Sequence, residues 1–283
     1  MKLFIIILFS IVVVTSCSSH QDNIETSSNE YLNLNNNKEF LQETQVYPDT
    51  SKMVLVKGGK FIPLYGKKNS PIQIEDFYMD VYPVTNKQFA LFTKLNPLWR
   101  RSKVKAIYCD KNYLSNWEND TTLSAGQNPD APVTNISWFA ALAYCKWVGK
   151  QLPTVDQWEY AAMADANSAD SRKEKSYNQY ILSWYEKPNT FNSPVGHTFK
   201  NYWGIWDMHG LVWEWTKDFN MVMISGESRR DVSDDENKFC GSSSAGASDL
   251  MNYAAFMRYA FRGSIKANYA LRNLGFRCIK KAK

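Results

Sequence analysis

The sequence has no basic arm, no fixed-period repeat and, beyond Cys17, no apolar run long enough to cross a bilayer. Each absence removes a class of protein. The 33 Lys and Arg are scattered among 28 Asp and Glu, so the net charge of +5 builds no continuous surface for phosphate backbones and argues against nucleic acid as a partner. Without a repeat, solenoids and propellers drop out. Histidine is scarce, with only His20, His197 and His209 in the chain. Cysteine is sparse too: past Cys17 stand Cys109, Cys145, Cys240 and Cys278, at spacings that match no zinc-ligand pattern. What the chain does have is aromatic mass. Phe, Trp and Tyr make up 14% of it, enough to build a sizeable core and to argue against overall disorder.

The first residues carry the most specific local pattern. Lys2 is followed by an apolar run from Leu3 to Val14, which closes on Val14-Thr15-Ser16-Cys17. The run is short for a resident transmembrane helix and reads as a signal sequence. Its end resembles a bacterial lipoprotein box, in which the thiol of Cys17 receives a diacylglyceryl group (a palmitate-type anchor) and becomes the mature N-terminus. Residues 1–16 are thus expected to be a signal peptide. Residues 17–51, rich in Asn, Ser and Glu, are expected to be a flexible tether, and 52–283 a folded domain. The chain is expected to be exported and lipid-anchored, on the periplasmic face of the outer membrane. In an oxidising compartment the four later cysteines suggest two disulfides, with three pairings open.

From Met53 onward short apolar runs alternate with turn residues. Met53–Val56, Lys60–Ile62 and Ile74–Tyr82 read as strands. Thr85-Asn86-Lys87-Gln88 and Thr154-Val155-Asp156-Gln157 are capping boxes that open helices, the first with Val84 and Phe89 at staple positions. Trp138, Leu142 and Cys145 fall on one face of a helix between Ile136 and Val148. Residues 165–180 and 225–238 are polar and read as surface excursions. The sum is an α+β domain with much loop.

Five ordered segments resemble the formylglycine-generating, or sulfatase-modifying-factor, family. They are Met53–Phe61, Phe77–Asn86, the block from Pro132 to Ala161 with Tyr144-Cys145 and Gln151-Leu152-Pro153-Thr154, then Gly204–Trp215, and Leu274-Gly275-Phe276-Arg277-Cys278. The resemblance implies an irregular, loop-rich α+β fold related to C-type lectins. It also implies a disulfide between Cys145 and Cys278, leaving Cys109 and Cys240 as a second pair or as two free thiols. It further implies a structural Ca²⁺ held by the side chains of Asp207 and Glu214 and by carbonyls of His209, Gly210 and Val212. Hard oxygens on one tight loop suit that ion. On the residues alone, Asp207 could instead cap a turn and Glu214 pair with an Arg such as Arg277.

The family's chemistry is where this chain departs. Its two reactive, copper-binding cysteines precede an Arg-x-Ala-x-Arg segment, which here is Arg258-Tyr259-Ala260-Phe261-Arg262. Between Gly241 and Met257 there is no cysteine; the matching positions fall near Asp249 and Ala254. Cu(I) needs soft thiolates, so no copper and no catalytic residue is expected. The family's iron-dependent branch needs three clustered His, which this chain lacks, and His197 and His209 read as loop or structural residues. The tryptophans at 203, 206, 213 and 215 read as core rather than as a carbohydrate platform. Two functions remain. One is a non-catalytic accessory or scaffold lipoprotein in an envelope complex, of the gliding, secretion or nitrite-reductase-associated type, with envelope proteins as partners. The other is an enzyme of altered chemistry using Asp249, Tyr253 or Arg258.

Overall fold

A computed structural model describes residues 51–63, 70–220 and 250–282. Cys17, the tether and signal sequence, the 225–238 excursion, Cys240 and Asp249 lie outside the described residues. The first and last described strands share one sheet. β1 (Met53–Val56) and β7 (Ile279–Lys281) flank β4 (Phe77–Asp80), all antiparallel. The registers run from Met53 opposite Asp80 to Val56 opposite Phe77, and from Phe77 opposite Lys281 to Met79 opposite Ile279. Alternation decides which side chains point inward. Phe77 and Met79 are buried while Tyr78 between them is exposed.

The single strand expected over 74–82 is divided. β3 (Ile72–Ile74) pairs with β2 (Gly59–Phe61), and the chain turns at Glu75-Asp76 before β4. The turn is fixed from outside: an oxygen of Asp76 accepts from the Gly58 N–H at 2.8 Å. A side chain on Gly58 would collide with the backbone of Ile74 and Glu75, so this close approach requires glycine.

Both capping boxes form. At α1 (Asn86–Leu95) Thr85 Oγ1 accepts from the Gln88 N–H at 3.3 Å, while Gln88 Oε1 accepts from the Thr85 N–H at 2.8 Å. At α3 (Val155–Ala162) Thr154 and Gln157 make the same exchange at 3.1 and 3.0 Å. The staple residues Val84 and Phe89 are both buried. α2 (Trp138–Trp147), capped by Ser137, is buried on nearly every face rather than on one stripe. Residues 165–180 are only partly the surface excursion expected. From Lys175 they form α4 (Lys175–Tyr185), whose Tyr177, Asn178 and Ile181 are buried. That helix packs on α5 (Leu250–Ser264). A parallel pair of two-residue strands, β5 (Trp213–Glu214) and β6 (Leu274–Gly275), joins the tryptophan-rich segment to the C-terminal one. Among the described residues no helix is long and apolar enough to cross a membrane. The loop-rich α+β fold is the one expected.

Cys145 on α2 and Cys278 beside β7 form a disulfide that links positions 133 apart, the pairing the resemblance implied. Cys109 is buried and unpaired among the described residues. In the chain-entropy description a loop of that length stabilises the fold by about 5 kcal/mol. Replacing both Cys145 and Cys278 by Ala is expected to lower the unfolding free energy by about that amount, read from urea midpoints. A loss below about 1 kcal/mol would show that the loop is held by other means.

Candidate functional site

The centre of the domain is built on three carboxylates, each locked by cations. Glu214 on β5 receives the Arg277 guanidinium at 2.8 Å (Nη2 to Oε1) and 2.9 Å (Nε to Oε2), and its Oε2 also accepts from the Trp158 indole at 2.8 Å. Asp80 at the end of β4 accepts from Lys150 Nζ at 2.5 Å and from the Cys278 N–H at 3.1 Å. Glu159 on α3 serves two guanidiniums from α5: Arg258 Nη2 at 2.7 Å and Arg262 Nη1 at 2.6 Å. All these groups are buried. Burial alone would raise the Glu159 carboxyl, but the two guanidiniums outweigh it and hold it down to about 2.

A polar chain continues from Arg258. Its Nη1 donates to the Tyr185 hydroxyl at 3.2 Å, which lies 3.4 Å from His209 Nδ1. His209 Nε2 lies 2.8 Å from the Ala162 carbonyl, which can only accept, so the proton sits on Nε2 and Tyr185 donates to Nδ1. Burial, reinforced by the charge of Arg258, pushes this imidazole down to about 3. His209 is neutral and structural.

Of the two positions near which the family's reactive residues are expected to fall, the structure describes one. Asp249 lies outside the described residues. Ala254 is buried on α5, in a small cluster with Tyr177 and Ile181 of α4. The void beside it is about 20 Å³, room for about one water. Arg258, a candidate for altered chemistry, has its guanidinium bound to Glu159 and Tyr185 and is not available to a substrate there. Tyr253 is exposed on the outer face of α5. Of the described candidates, Tyr253 is exposed and Arg258 is buried against Glu159, so the two do not share a site.

The calcium residues also have other partners. Asp207, at a left-handed φ of 61°, accepts from the N–H groups of Gly196, His197 and Thr198 and from the Thr198 hydroxyl. It therefore caps a turn, and Glu214 pairs with Arg277. Ca²⁺ needs the lone pairs of its carboxylates, and both sets are matched here by protein donors. No cluster of three or more His, Cys, Asp or Glu in position to hold a metal occurs among the described residues. As arranged, these residues do not fit the ion.

Some central groups carry no pattern that marks them in the sequence. Glu159 sits inside the capping-box helix, yet its partners lie about a hundred positions away. Tyr185 belongs to no quoted motif. Only the pairing of Glu214 with Arg277, both inside recognisable segments, could be anticipated. Of the tryptophans, Trp215 is fully enclosed, its indole donating to the Ile136 carbonyl, and Trp213 stacks on Phe261 with centroids 4.8 Å apart.

Fold and site together define a loop-rich α+β domain whose charged centre is clamped shut by ion pairs. A family model described as a sulfatase-modifying factor enzyme 1-like domain matches residues 38–282, and the chain belongs to that family. It is 27% identical over 253 residues to the formylglycine-generating enzyme of Bos taurus, covering 73% of this chain and 66% of that one. It is also 27% identical over 285 residues to the inactive C-alpha-formylglycine-generating enzyme 2 of Bos taurus, covering 82% and 89%. A serine/threonine-protein kinase pkn1 of Chlamydia caviae is 25% identical over 188 residues, 64% of this chain. This chain spans only 30% of that kinase's length.

Two outcomes follow from the geometry. Folded His209 refuses a proton that the unfolded chain takes up below about pH 6.5, so stability falls as pH drops below that value. Glu159 adds a second loss, from about pH 4.5 downward toward its folded value of about 2. Between pH 7 and 5 the His209 contribution is expected to cost about 2 kcal/mol, measured by urea unfolding, and His209→Gln is expected to flatten that slope. Removing Ca²⁺ with a chelator is expected to leave the melting temperature unchanged. An ion bound at a hundred times its Kd would add about 2.7 kcal/mol, and a shift of that size would restore the calcium reading.

Proposed function

We propose that this chain is a lipid-anchored, non-catalytic member of its family that serves as a binding platform in a cell-envelope complex of the gliding, secretion or nitrite-reductase-associated kind. The observation that carries the non-catalytic part is Ala254. At the position matching a reactive thiol stands a methyl group, packed against Tyr177 and Ile181 with space for about one water. The methyl group supplies no thiolate, and the space beside it is too small for a substrate. That relatives of comparable identity include a protein named as an inactive formylglycine-generating enzyme is consistent with this reading.

An exposed apolar ridge supports the platform. Leu91 and Leu95 stand one turn apart on α1, and Leu98 follows in the adjoining 3₁₀ turn; they are 37%, 51% and 60% exposed. Anchoring rests on the sequence around Cys17, and export follows from the run before it.

Two measurements test the reading. Incubated with copper and a sulfatase-derived cysteine peptide, the purified domain is expected to yield no aldehyde, and aldehyde formation would defeat the non-catalytic claim. Cells fed labelled palmitate are expected to label the native chain but not its Cys17→Ala variant; equal labelling of the two would remove the anchor.

A further inference from the structure

Away from the Ala254 void, a larger cavity of about 330 Å³ opens between the end of α4, the segment around Phe191, β5 and the later part of α5. Its size falls at the lower end of the range for small-molecule sites. Aromatic rings supply its walls. Trp213 lies between Tyr185 and Phe261, with centroids 4.9 and 4.8 Å away.

Its charge has one sign. Lys187, Arg262 and Arg272 line it, and the one acidic lining residue, Glu214, is already bound by Arg277 and Trp158. Lys187 and Arg272 are exposed, each resting on a ring: Lys187 Nζ lies 3.7 Å from the Trp184 centroid, and the Arg272 guanidinium 4.5 Å from that of Phe191. They form the rim. Arg262 is 5% exposed and forms the floor. It spends one nitrogen, Nη1, on Glu159 at 2.6 Å. Its Nε and Nη2 make no hydrogen bond among the described residues, and they are not among the polar atoms sealed without a partner. Glu159 meanwhile is shared with Arg258, so one carboxylate answers two guanidiniums; the Asp218 carboxylate, which also feels the charge of Arg262, accepts from the Val155 N–H and does not line the cavity. Donors open to the cavity are met by water, which a carboxylate can displace with stronger, charge-assisted hydrogen bonds.

We propose that this cavity binds an organic anion, specifically a carboxylate carried on an aromatic or branched apolar body. The carboxylate meets the open edge of Arg262 with the rim cations around it, and the body lies against Trp213. The same chemistry is offered by a free small acid and by the C-terminal carboxylate of a partner chain. The inference is independent of the lipid anchor and of the missing cysteines.

The test is calorimetric titration of the purified chain with N-acetylphenylalanine and with its uncharged amide, N-acetylphenylalaninamide. A short peptide ending in Phe, as free acid and as C-terminal amide, forms a second arm. In at least one arm the acid is expected to bind at least tenfold more tightly than its amide. The double variant Lys187→Ala/Arg272→Ala, which alters only exposed side chains, is expected to reduce that preference at least tenfold while keeping the native melting temperature. Arg262→Lys keeps a cation for Glu159 but removes the fork, and is expected to weaken acid binding as well. Tighter binding of the peptide acid supports the proposal and assigns the site to a chain terminus, whereas tighter binding of the small acid supports it and assigns a free ligand. Equal binding of acids and amides, an unchanged preference in the double variant, or no binding of either acid up to about 10 mM would overturn it.

Discussion

The buried pair between Arg277 and Glu214 is the contact on which the rest of the domain hangs. Arg277 is fully enclosed, and its guanidinium divides its donors among Glu214, the carbonyl of Trp206 at 3.0 Å and that of Asp80 at 3.3 Å. One side chain thus ties β4, the loop before β5 and β5 itself to the C-terminal segment. Desolvating such a pair is repaid only when geometry and the remaining hydrogen bonds are close to complete. Here they are: Glu214 is bound on both oxygens and also holds the Trp158 indole. Removing either partner would strand a charge, at roughly 3–5 kcal/mol. The next residue adds covalent weight, since Cys278 is bonded to Cys145 and sends its N–H to Asp80.

The same logic governs the other central groups. Catalytic acids and bases work when their pKa values are brought near the operating pH. Glu159 and His209 are displaced the other way, to about 2 and about 3. Each is held in one protonation state at neutral pH, and each holds another group in place: Glu159 fixes the two guanidiniums of α5, and His209 links the end of α3 to Tyr185 on α4. Perturbed pKa values mark functional sites and structural ion-pair networks alike. Geometry separates the cases here. The perturbed groups point at one another, and the space beside Ala254 is no larger than a water.

What the sequence revealed was local or already familiar from the resemblance. The two capping boxes are readable because all their atoms lie within four residues. The pairing of Cys145 with Cys278 followed only from the family likeness, since spacing left three pairings open. α5 is the instructive failure. Its inward face is made of Ala254, Ala255, Arg258, Tyr259 and Arg262, so a search for apolar periodicity meets arginines where it expects leucines. Those arginines are buried only because Glu159, far away in sequence, comes to meet them. The polar stretch leading into α4 misled for a related reason: Asn178 is buried there with its amide on the carbonyls of Arg172 and Glu174. Polarity reports exposure only where no partner is in reach. For the calcium residues the likeness supplied the residues and the structure supplied other partners, because a carboxylate can be satisfied by N–H donors as well as by an ion.

Arg262 joins the stabilising and binding halves of the molecule. A guanidinium has five N–H donors in a fixed fork, and a single carboxylate shared with Arg258 does not use them all. The fold needs the Glu159 contact to bury α5, yet that contact leaves the far edge of Arg262 turned toward the aromatic cavity beside Trp213. With Lys187 and Arg272 at the rim, the open donors of Arg262 complete a cationic lining. That lining gives the cavity a preference of sign. A pocket of defined sign can thus draw part of its charge from the network that holds the fold together.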